Sequence, residues 1–392
     1  MDRKILVGID AHAIGRKQGG NETYALGLLH GLVEISPSDF RFLVFLSRYT
    51  DVPRFLQAHP LFDFDFVSTY AGMRIFQLSR KAAERKVALL HTQYHIPFFC
   101  PCPSVITFHD VSFLRHPEFF PRFLYCRLKF SLPYAVHRAK KIITVSEFSR
   151  KEILTFYNIP ANKVRKIYNG YSAVFKPVTE ERKPQLKKFG ISRPYILSVS
   201  NLQPRKNITR LIQAFLSLAK SDKTFLHDLV IVGRKLWLYD SIFNEVRKSG
   251  YENRIIFTDY VPEEDLVVLY NFADCLVYPS LYEGFGLPVL EAMACGCPVI
   301  TSSTSSLPEI AGSAGILVDP YRSEEIAHAI RKLVADPQLR KKLRDAGLKQ
   351  AEQFSWRKAA KQTMEIYREV LSLKGGNSGE ANAVQLHQSM KK

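Results

Sequence analysis

The residues with the clearest capacity for chemistry lie in one stretch, YPSLYEGFGLPVLEAMACGCPVI, Tyr278–Ile300. Glu283 stands in a turn after an apolar run. Gly284 and Gly286 then open a helix with Pro288 in its first turn, and Glu291 follows one turn further. Peptide N–H groups of Phe285, Gly286 and Leu287 at such a helix start can hold a phosphate. The two carboxylates can accept hydrogen bonds from pairs of sugar hydroxyls. A second stretch, SNLQPRKNITRLIQAF, puts Arg205 and Lys206 just before a helix. Cations there oppose the helix dipole, so an anionic ligand explains them better than a solvated charge pair, and they read as a diphosphate clamp. A third stretch, VITFHD, ends an apolar strand in His109. Its imidazole can hydrogen-bond a sugar hydroxyl, shuttle a proton or cap the following loop. Finally, Gly19 and Gly20 precede the helical stretch ETYALGLLHGL. They form either a flexible turn or a place where backbone approaches an anion.

These groups need elements to position them. Short apolar runs predict strands at Ile5–Asp10, Phe42–Leu46, Phe64–Ser68, Val87–His91, Val105–His109, Ile142–Ser146 and Val164–Tyr168. Further runs follow at Tyr195–Ser200, Leu229–Gly233, Ile255–Thr258, Cys275–Pro279, Val299–Thr301 and Ile316–Val318. Several lack polar alternation, as strands covered on both faces do. Amphipathic stretches such as Ile208–Ala219, Glu263–Phe272 and Glu324–Val334 lie between them. Alternating strand and helix predicts an α/β fold with parallel, doubly wound sheets. The pattern pauses over Ser172–Arg193, a polar linker with one short helix. The expected domains are therefore 1–175 and 176–355, with a disordered tail over 374–392. Parallel sheets place ligands at the carboxyl ends of their strands, so a cleft between the domains is the expected site.

Composition is that of an ordinary globular protein: 392 residues, 46% hydrophobic and 23% charged. No apolar run reaches the roughly 18–20 residues of a membrane-spanning helix, and the first residues read as a strand, not a signal peptide. The expected location is the cytoplasm. The net charge of +18 is uneven, with 29 basic and 15 acidic residues in 1–190 against 26 and 22 in 191–392. A basic first half points to an anionic partner: a phosphorylated substrate, a lipid surface or a nucleic acid. The six cysteines lack zinc spacings, so no metal site and reduced thiols are expected.

With these motifs in hand, the chain resembles retaining GT-B glycosyltransferases of glycosyltransferase family 4. EGFGLPVLE matches their E-x7-E signature, beside GG at 19–20, FHD at 108–110, VSEFSRKEI at 145–153, LQPRKN at 202–207 and SLPEIAG at 306–312. The LQPRKN form with FHD looks most like the mannosyltransferase-like branch that builds bacterial surface polysaccharides such as lipopolysaccharide. The resemblance implies two Rossmann-like lobes facing a central cleft, the first on the acceptor side and completed by a helix at about 356–373. It implies that Gly19 and Gly20 line the diphosphate and that His109 contacts the transferred sugar. Arg205 and Lys206 would neutralise the leaving nucleotide diphosphate. Glu283 would hold donor hydroxyls, Phe285, Gly286 and Leu287 would offer amides, and Glu291 would bind the ribose. Many relatives carry arginine where Asn201 stands, so the phosphate contacts differ here.

The resemblance further implies retention without a metal or other cofactor. The sequence names no nucleophile, so same-face attack assisted by the leaving phosphate is the expected route. GDP-mannose is the first-choice donor and a UDP-hexose the second; the acceptor is a glycan or a lipid-linked saccharide. Residues 113–151 mix cations with Phe119, Phe120, Phe123, Leu124, Tyr125 and Phe130. They suit either an anionic membrane surface, peripheral on the inner face of the cytoplasmic membrane, or a core-packed helix with snorkelling cations. A nucleic-acid partner lacks any supporting motif. A nicotinamide enzyme lacks the required glycine spacing after the first strand. A sugar-nucleotide epimerase of the same fold is the nearest alternative. Glu283→Ala is expected to abolish transfer while sparing the fold.

Overall fold

The apolar runs become strands because each buries alternate side chains on opposite sides of a parallel sheet. In the second half, Leu197, Val199, Val230, Leu276 and Val299 enter one core, while Ile196, Leu229, Ile231, Val277 and Ile300 enter another. Both faces are therefore covered, and the alternation of an exposed sheet has no place. The computed structural model describes residues 4–16, 19–48 and 50–372; the tail expected over 374–392 lies outside them.

Strands β1 (Ile5–Asp10), β2 (Phe40–Ser47), β3 (Phe62–Val67), β4 (Leu89–Gln93), β5 (Ser104–Thr107), β6 (Lys141–Thr144) and β7 (Val164–Lys166) form one sheet, in the order β3-β2-β1-β4-β5-β6-β7. Strands β8 (Tyr195–Val199), β9 (Asp228–Val232), β10 (Ile255–Asp259), β11 (Cys275–Tyr278), β12 (Val299–Ser302) and β13 (Gly315–Val318) form the other, in the order β10-β9-β8-β11-β12-β13. All the pairings are parallel. In both sheets the order reverses beside the first strand, which opens a crevice at its carboxyl end.

The crossover helices of the first sheet are α1 (Gly20–Ile35), α2 (Ala71–Glu84), α3 (Ser112–Arg115), α4 (Arg122–Arg138) and α5 (Glu147–Tyr157). Those of the second are α6 (Ile208–Ser221), α7 (Asp240–Arg247), α8 (Glu263–Phe272), α9 (Leu287–Ala294) and α10 (Leu307–Ala311), and α11 (Ser323–Ala335) follows the last strand and packs on α6. Helix α12 (Pro337–Ala351) packs on α9, and α13 (Trp356–Val370) returns to the first sheet and packs on α1. Between the sheets, the polar segment folds into a 3-10 helix, Glu180–Phe189, against α8.

The return of α13 has a steric and a polar basis. Gly27 leaves room for the Trp356 ring, which passes 1.9 Å from where a Cβ at residue 27 would stand. Trp356, Met364 and Tyr367 then share a core with Val7 and Leu28. A buried chain runs from Tyr367 Oη to His91 Nδ1 (2.5 Å), and from His91 Nε2 to Thr107 Oγ1 (2.8 Å), which also meets Tyr24 Oη (2.7 Å). Burial, with help from nearby His109, holds His91 down at about 3, so this ring is neutral. The chain fixes the end of β5, two residues before His109.

Candidate active site

Lys206, Arg205 and Glu283 come together where β8 and β11 end. Pro204–Lys206 make one 3-10 turn, and Asn207 takes a left-handed φ of 60° before α6 begins. The Asn207 amide donates to the carbonyls of Pro279 (3.0 Å) and Pro320 (2.6 Å), which anchors that turn to the end of β11. Lys206 Nζ donates to Glu283 Oε1 at 2.5 Å, and Arg205 donates to Glu283 Oε2 at 2.9 Å. Tyr278 Oη donates to the same carboxylate at 2.9 Å. Burial alone would raise the Glu283 pKa; the charges of Arg205 and Lys206 overcome it and hold the carboxyl at about 2. Lys206 is lowered to about 8 by burial and by Arg205, with Glu283 opposing both. Arg205 is raised: burial works against its charge, but Glu283 and Asp110 outweigh it. Two cations side by side, with Glu283 paired to both, place positive charge at the end of β8, suited to a diphosphate.

The sequence reading placed these groups in one cleft but gave Glu283 to sugar hydroxyls and the cations to a diphosphate. Glu283 is ion-paired to the cations, so its removal strands two buried charges. The expectation that Glu283→Ala spares the fold is therefore corrected.

The turn after Glu283 is held by its carbonyls. Ser306 donates to Glu283 O (2.9 Å) and to Phe285 O (2.8 Å), and Ser146 donates to Gly284 O (2.6 Å). Ser149 adds a bond to Gly284 O at 3.2 Å. With the carbonyls engaged, the start of α9 retains its N–H groups for a ligand. Gly286 adopts φ 114° there, and Leu287 is the first helical residue. Ser146 and Ser149 belong to α5 and its cap, so the two domains meet at this turn. A Cβ on Gly284 would lie 2.3 Å from the His109 carbonyl oxygen.

His109 thus stands against the Glu283 turn. Its Nε2 meets Gln93 Oε1 at 2.8 Å, and Gln93 Nε2 donates to Asn21 O at 3.1 Å. The second bond fixes the Gln93 amide, so its oxygen faces the imidazole and Nε2 carries the proton. Nδ1 is left as an acceptor. Burial, partly offset by Asp110, lowers His109 to about 4, so it is a neutral hydrogen-bonding group at neutral pH. Gly19, at the start of α1, faces the second domain. A Cβ there would lie 3.5 Å from Asn201 Nδ2, while Asn201 Oδ1 accepts from Arg234 N. Gly19 therefore borders the gap between the sheets, whereas a Cβ on Gly20 would meet nothing within 4 Å.

Glu291 lies deeper, accepting from Tyr270 Oη at 3.0 Å. Burial, with Glu263 adding to it and Tyr270 opposing it, raises its carboxyl to about 7. Below pH 7 the group is protonated and a poor acceptor; above it, the carboxylate can accept hydrogen bonds from ligand hydroxyls. Affinity for a nucleotide sugar, whose diphosphate diester does not titrate here, is expected to rise about tenfold between pH 6 and 8. Isothermal titration calorimetry checks this, and Glu291→Gln should flatten the profile. Because the folded pKa lies above the ordinary carboxyl value of 4.5, this group's contribution to stability is lost as pH rises from there through 7.

Sequence reasoning did not single out Tyr278, Gln93, Asn207 or Ser306. Nor did it foresee Glu309, whose carboxylate accepts from Glu147 N (2.8 Å) and Tyr168 Oη (2.6 Å) and so ties α10 to the first domain. Their visible signals were the motifs around them, since Asn207 ends LQPRKN and Ser306 and Glu309 lie in SLPEIAG, though no role was given to those residues.

Comparison with known proteins agrees with this arrangement. Residues 18–173 match the family described as Glycosyltransferase Family 4, and residues 180–350 match Glycosyl transferases group 1. O-antigen chain mannosyltransferase B of Escherichia coli is 38% identical over 281 residues, 70% of this chain and 74% of that protein. Among solved structures, sucrose-phosphate synthase from Thermosynechococcus elongatus superposes with a TM-score of 0.76 at 21% identity, over 94% of this chain and 100% of that one. Anabaena HepE in complex with UDP-glucose gives 0.72 at 20% identity, again over 94% and 100%. Two parallel α/β lobes, a matching family over each, and a relative this similar lead to one conclusion: the chain belongs to glycosyltransferase family 4 and is a glycosyltransferase of the GT-B fold.

Proposed function

We propose that the enzyme transfers a mannosyl group, with retention, from GDP-mannose to a lipid-linked or glycan acceptor during surface polysaccharide synthesis. The observation that carries this reading is the Arg205–Lys206–Glu283 cluster set beside the start of α9 and against His109. It offers positive charge where a diphosphate must leave and a neutral acceptor where a sugar hydroxyl must be held. The similarity to an O-antigen mannosyltransferase supports mannose over other hexoses.

In the proposed reaction, Arg205, Lys206 and the α9 peptide N–H groups stabilise the charge growing on the departing nucleoside diphosphate. The sugar develops oxocarbenium character, and the acceptor hydroxyl attacks on the face the leaving group vacates. A donor phosphate oxygen takes the acceptor's proton. Cationic side chains supply the electrostatic work, without a metal. His109 Nδ1 orients the sugar through a hydroxyl.

Membrane docking is part of the same proposal. Of the mixed segment 113–151, Phe119 is buried and Arg115 is paired with buried Glu152, so those residues are structural. Phe123 and Phe130 on α4 are each 78% exposed, among exposed Arg122, Arg127 and Lys129. Among the described residues no helix is long and apolar enough to cross a membrane, so α4 would rest on the surface.

A thermal-shift panel of GDP, UDP, ADP and their sugars, followed by product analysis, tests the reading. Selective stabilisation by the GDP series, and an α-linked mannosyl product from GDP-α-mannose, are expected. Stabilisation by UDP alone would move the donor to a UDP-hexose. Release of an altered sugar without an acceptor would mark an epimerase instead.

A further inference from the structure

Away from the Glu283 turn, the second domain reaches the first through a side chain that the transfer chemistry leaves unused. On the loop after β9, Trp237 crosses the gap, and its Nε1 donates to Phe119 O at 2.8 Å. The ring also packs on Phe120, with centroids 6.2 Å apart. An indole N–H is only a donor, and the rigid ring fixes its direction. The bond therefore sets a separation between the domains.

The loop is held so as to present that ring. Leu202 N donates to Arg234 O at 2.8 Å, and Leu236 N donates to Leu202 O at 3.2 Å. Arg234 N donates to Asn201 Oδ1 at 3.2 Å. On the far side of Trp237, Leu238 takes a left-handed φ of 54°, which a leucine disfavours, just before α7. Trp237 is thus tied to the segment that leads into Pro204–Lys206, the turn bearing both cations.

What the ring grips is the segment that follows His109. Asp110 Oδ1 accepts from Ser112 N (2.9 Å) and Ser112 Oγ (2.6 Å) at the start of α3. Arg115, at the end of α3, donates through two nitrogens to Glu152 on α5, at 3.0 and 2.6 Å. Pro117–Phe119 then form one 3-10 turn before α4. The second domain holds this segment at another point. Tyr282 lies against His116 and Phe148, with centroids 5.7 and 5.2 Å apart, and His116 stacks on Phe119. Arg205 donates to Tyr282 O at 3.1 Å. Both grips begin beside the cations and end on the chain just beyond His109.

We propose that Trp237 is a positioning residue for transfer: its bond to Phe119 O sets the distance between the donor clamp and His109. This rests on the reading of Arg205 and Lys206 as donor groups. The bond lies apart from those groups, so its loss leaves the clamp whole. The first domain then drifts from the sugar that the clamp presents, and misplacement of that kind slows the reaction more than it weakens binding.

Trp237→Phe keeps a ring against Phe120 and removes the N–H. Hydrogen exchange read by mass spectrometry follows the latch in the full chain without any ligand. The amides of the 3-10 turn, Phe119 N and Phe120 N, bond only within the turn. They should exchange about tenfold faster in the variant, with the amides of β8 exchanging as before. With GDP-mannose as donor and octyl mannoside as acceptor, kcat should fall about tenfold. KM for the donor should stay within about twofold, and GDP should raise the melting point of variant and parent equally. Unchanged exchange in the turn would overturn the latch. Faster exchange with an unchanged kcat would overturn its part in transfer. A loss of GDP stabilisation matching the loss of kcat would place Trp237 among the donor contacts and overturn the proposal. A parent that turns over neither GDP-mannose nor UDP-glucose would tell against the proposed function instead, and hydrogen exchange would still decide the latch.

Discussion

Replacing Glu283 with alanine should reduce transfer by at least about a thousandfold and lower the melting temperature by about 10 °C. The two effects share one cause. Glu283 is the common anion of Arg205 and Lys206, at 2.9 and 2.5 Å. Breaking such a buried set by removing one partner costs about 3–5 kcal/mol, and each kcal/mol moves the melting point by about 2–4 °C in a domain of this size. Loss of a preorganised electrostatic group commonly costs about 10²–10³ in rate, and here the cations are misplaced as well. The stranded cations give a readout that ordinary misfolding lacks: a nucleoside diphosphate should raise the variant's melting point by more degrees than it raises the parent's. Glu283→Gln should retain part of the stability and little of the activity. A fully active alanine variant would contradict the assignment of this site.

Gly284→Ala should lower kcat/KM by about a hundredfold while leaving nucleotide stabilisation nearly unchanged. The new methyl would stand 2.3 Å from the His109 carbonyl oxygen and 3.0 Å from Asp110 Cβ. The closest obstacle is backbone, so the second domain must withdraw or the turn must shift. Either movement breaks the bonds from Ser146 and Ser149 to Gly284 O. Overpacking of this kind costs about 1–3 kcal/mol, and a displacement of 1 Å between reacting groups can cost about 10² in rate. The contacts proposed for Arg205 and Lys206 lie within the second domain and should survive. Unchanged turnover would show that the domains do not meet through this turn during the reaction.

The aromatic residues of segment 113–151 mark how far local sequence reaches. Phe119 and Phe123 lie four positions apart amid similar cations, and both suited a lipid surface. Phe119 is buried, with His116 stacked on it at 4.7 Å and Trp237 donating to its carbonyl from the other domain. Phe123 has no such cover and is 78% exposed. His116 is itself set against Tyr282 of the second domain, ring centroids 5.7 Å apart, a contact no local pattern records.

Glu291 and Glu283 make the same point for charge. Both are glutamates flanking one helix start, yet one is held at about 2 and the other at about 7. Cations reach Glu283; a tyrosine hydroxyl and desolvation surround Glu291.

The sequence alone determined the strands, the crossover helices and the identities of the reactive groups. Apolar periodicity and glycine–proline punctuation act over a few residues, so they can be read directly. Tertiary structure decided which groups become partners. Parallel strands return through crossover helices, so Lys206 and Glu283, 77 positions apart, meet at the ends of neighbouring strands. Ser146 reaches Gly284 across 138 positions. Gln93, chosen by strand order, sets the proton on His109. Burial then fixes which of these groups carry charge, because desolvation depends on everything packed around them.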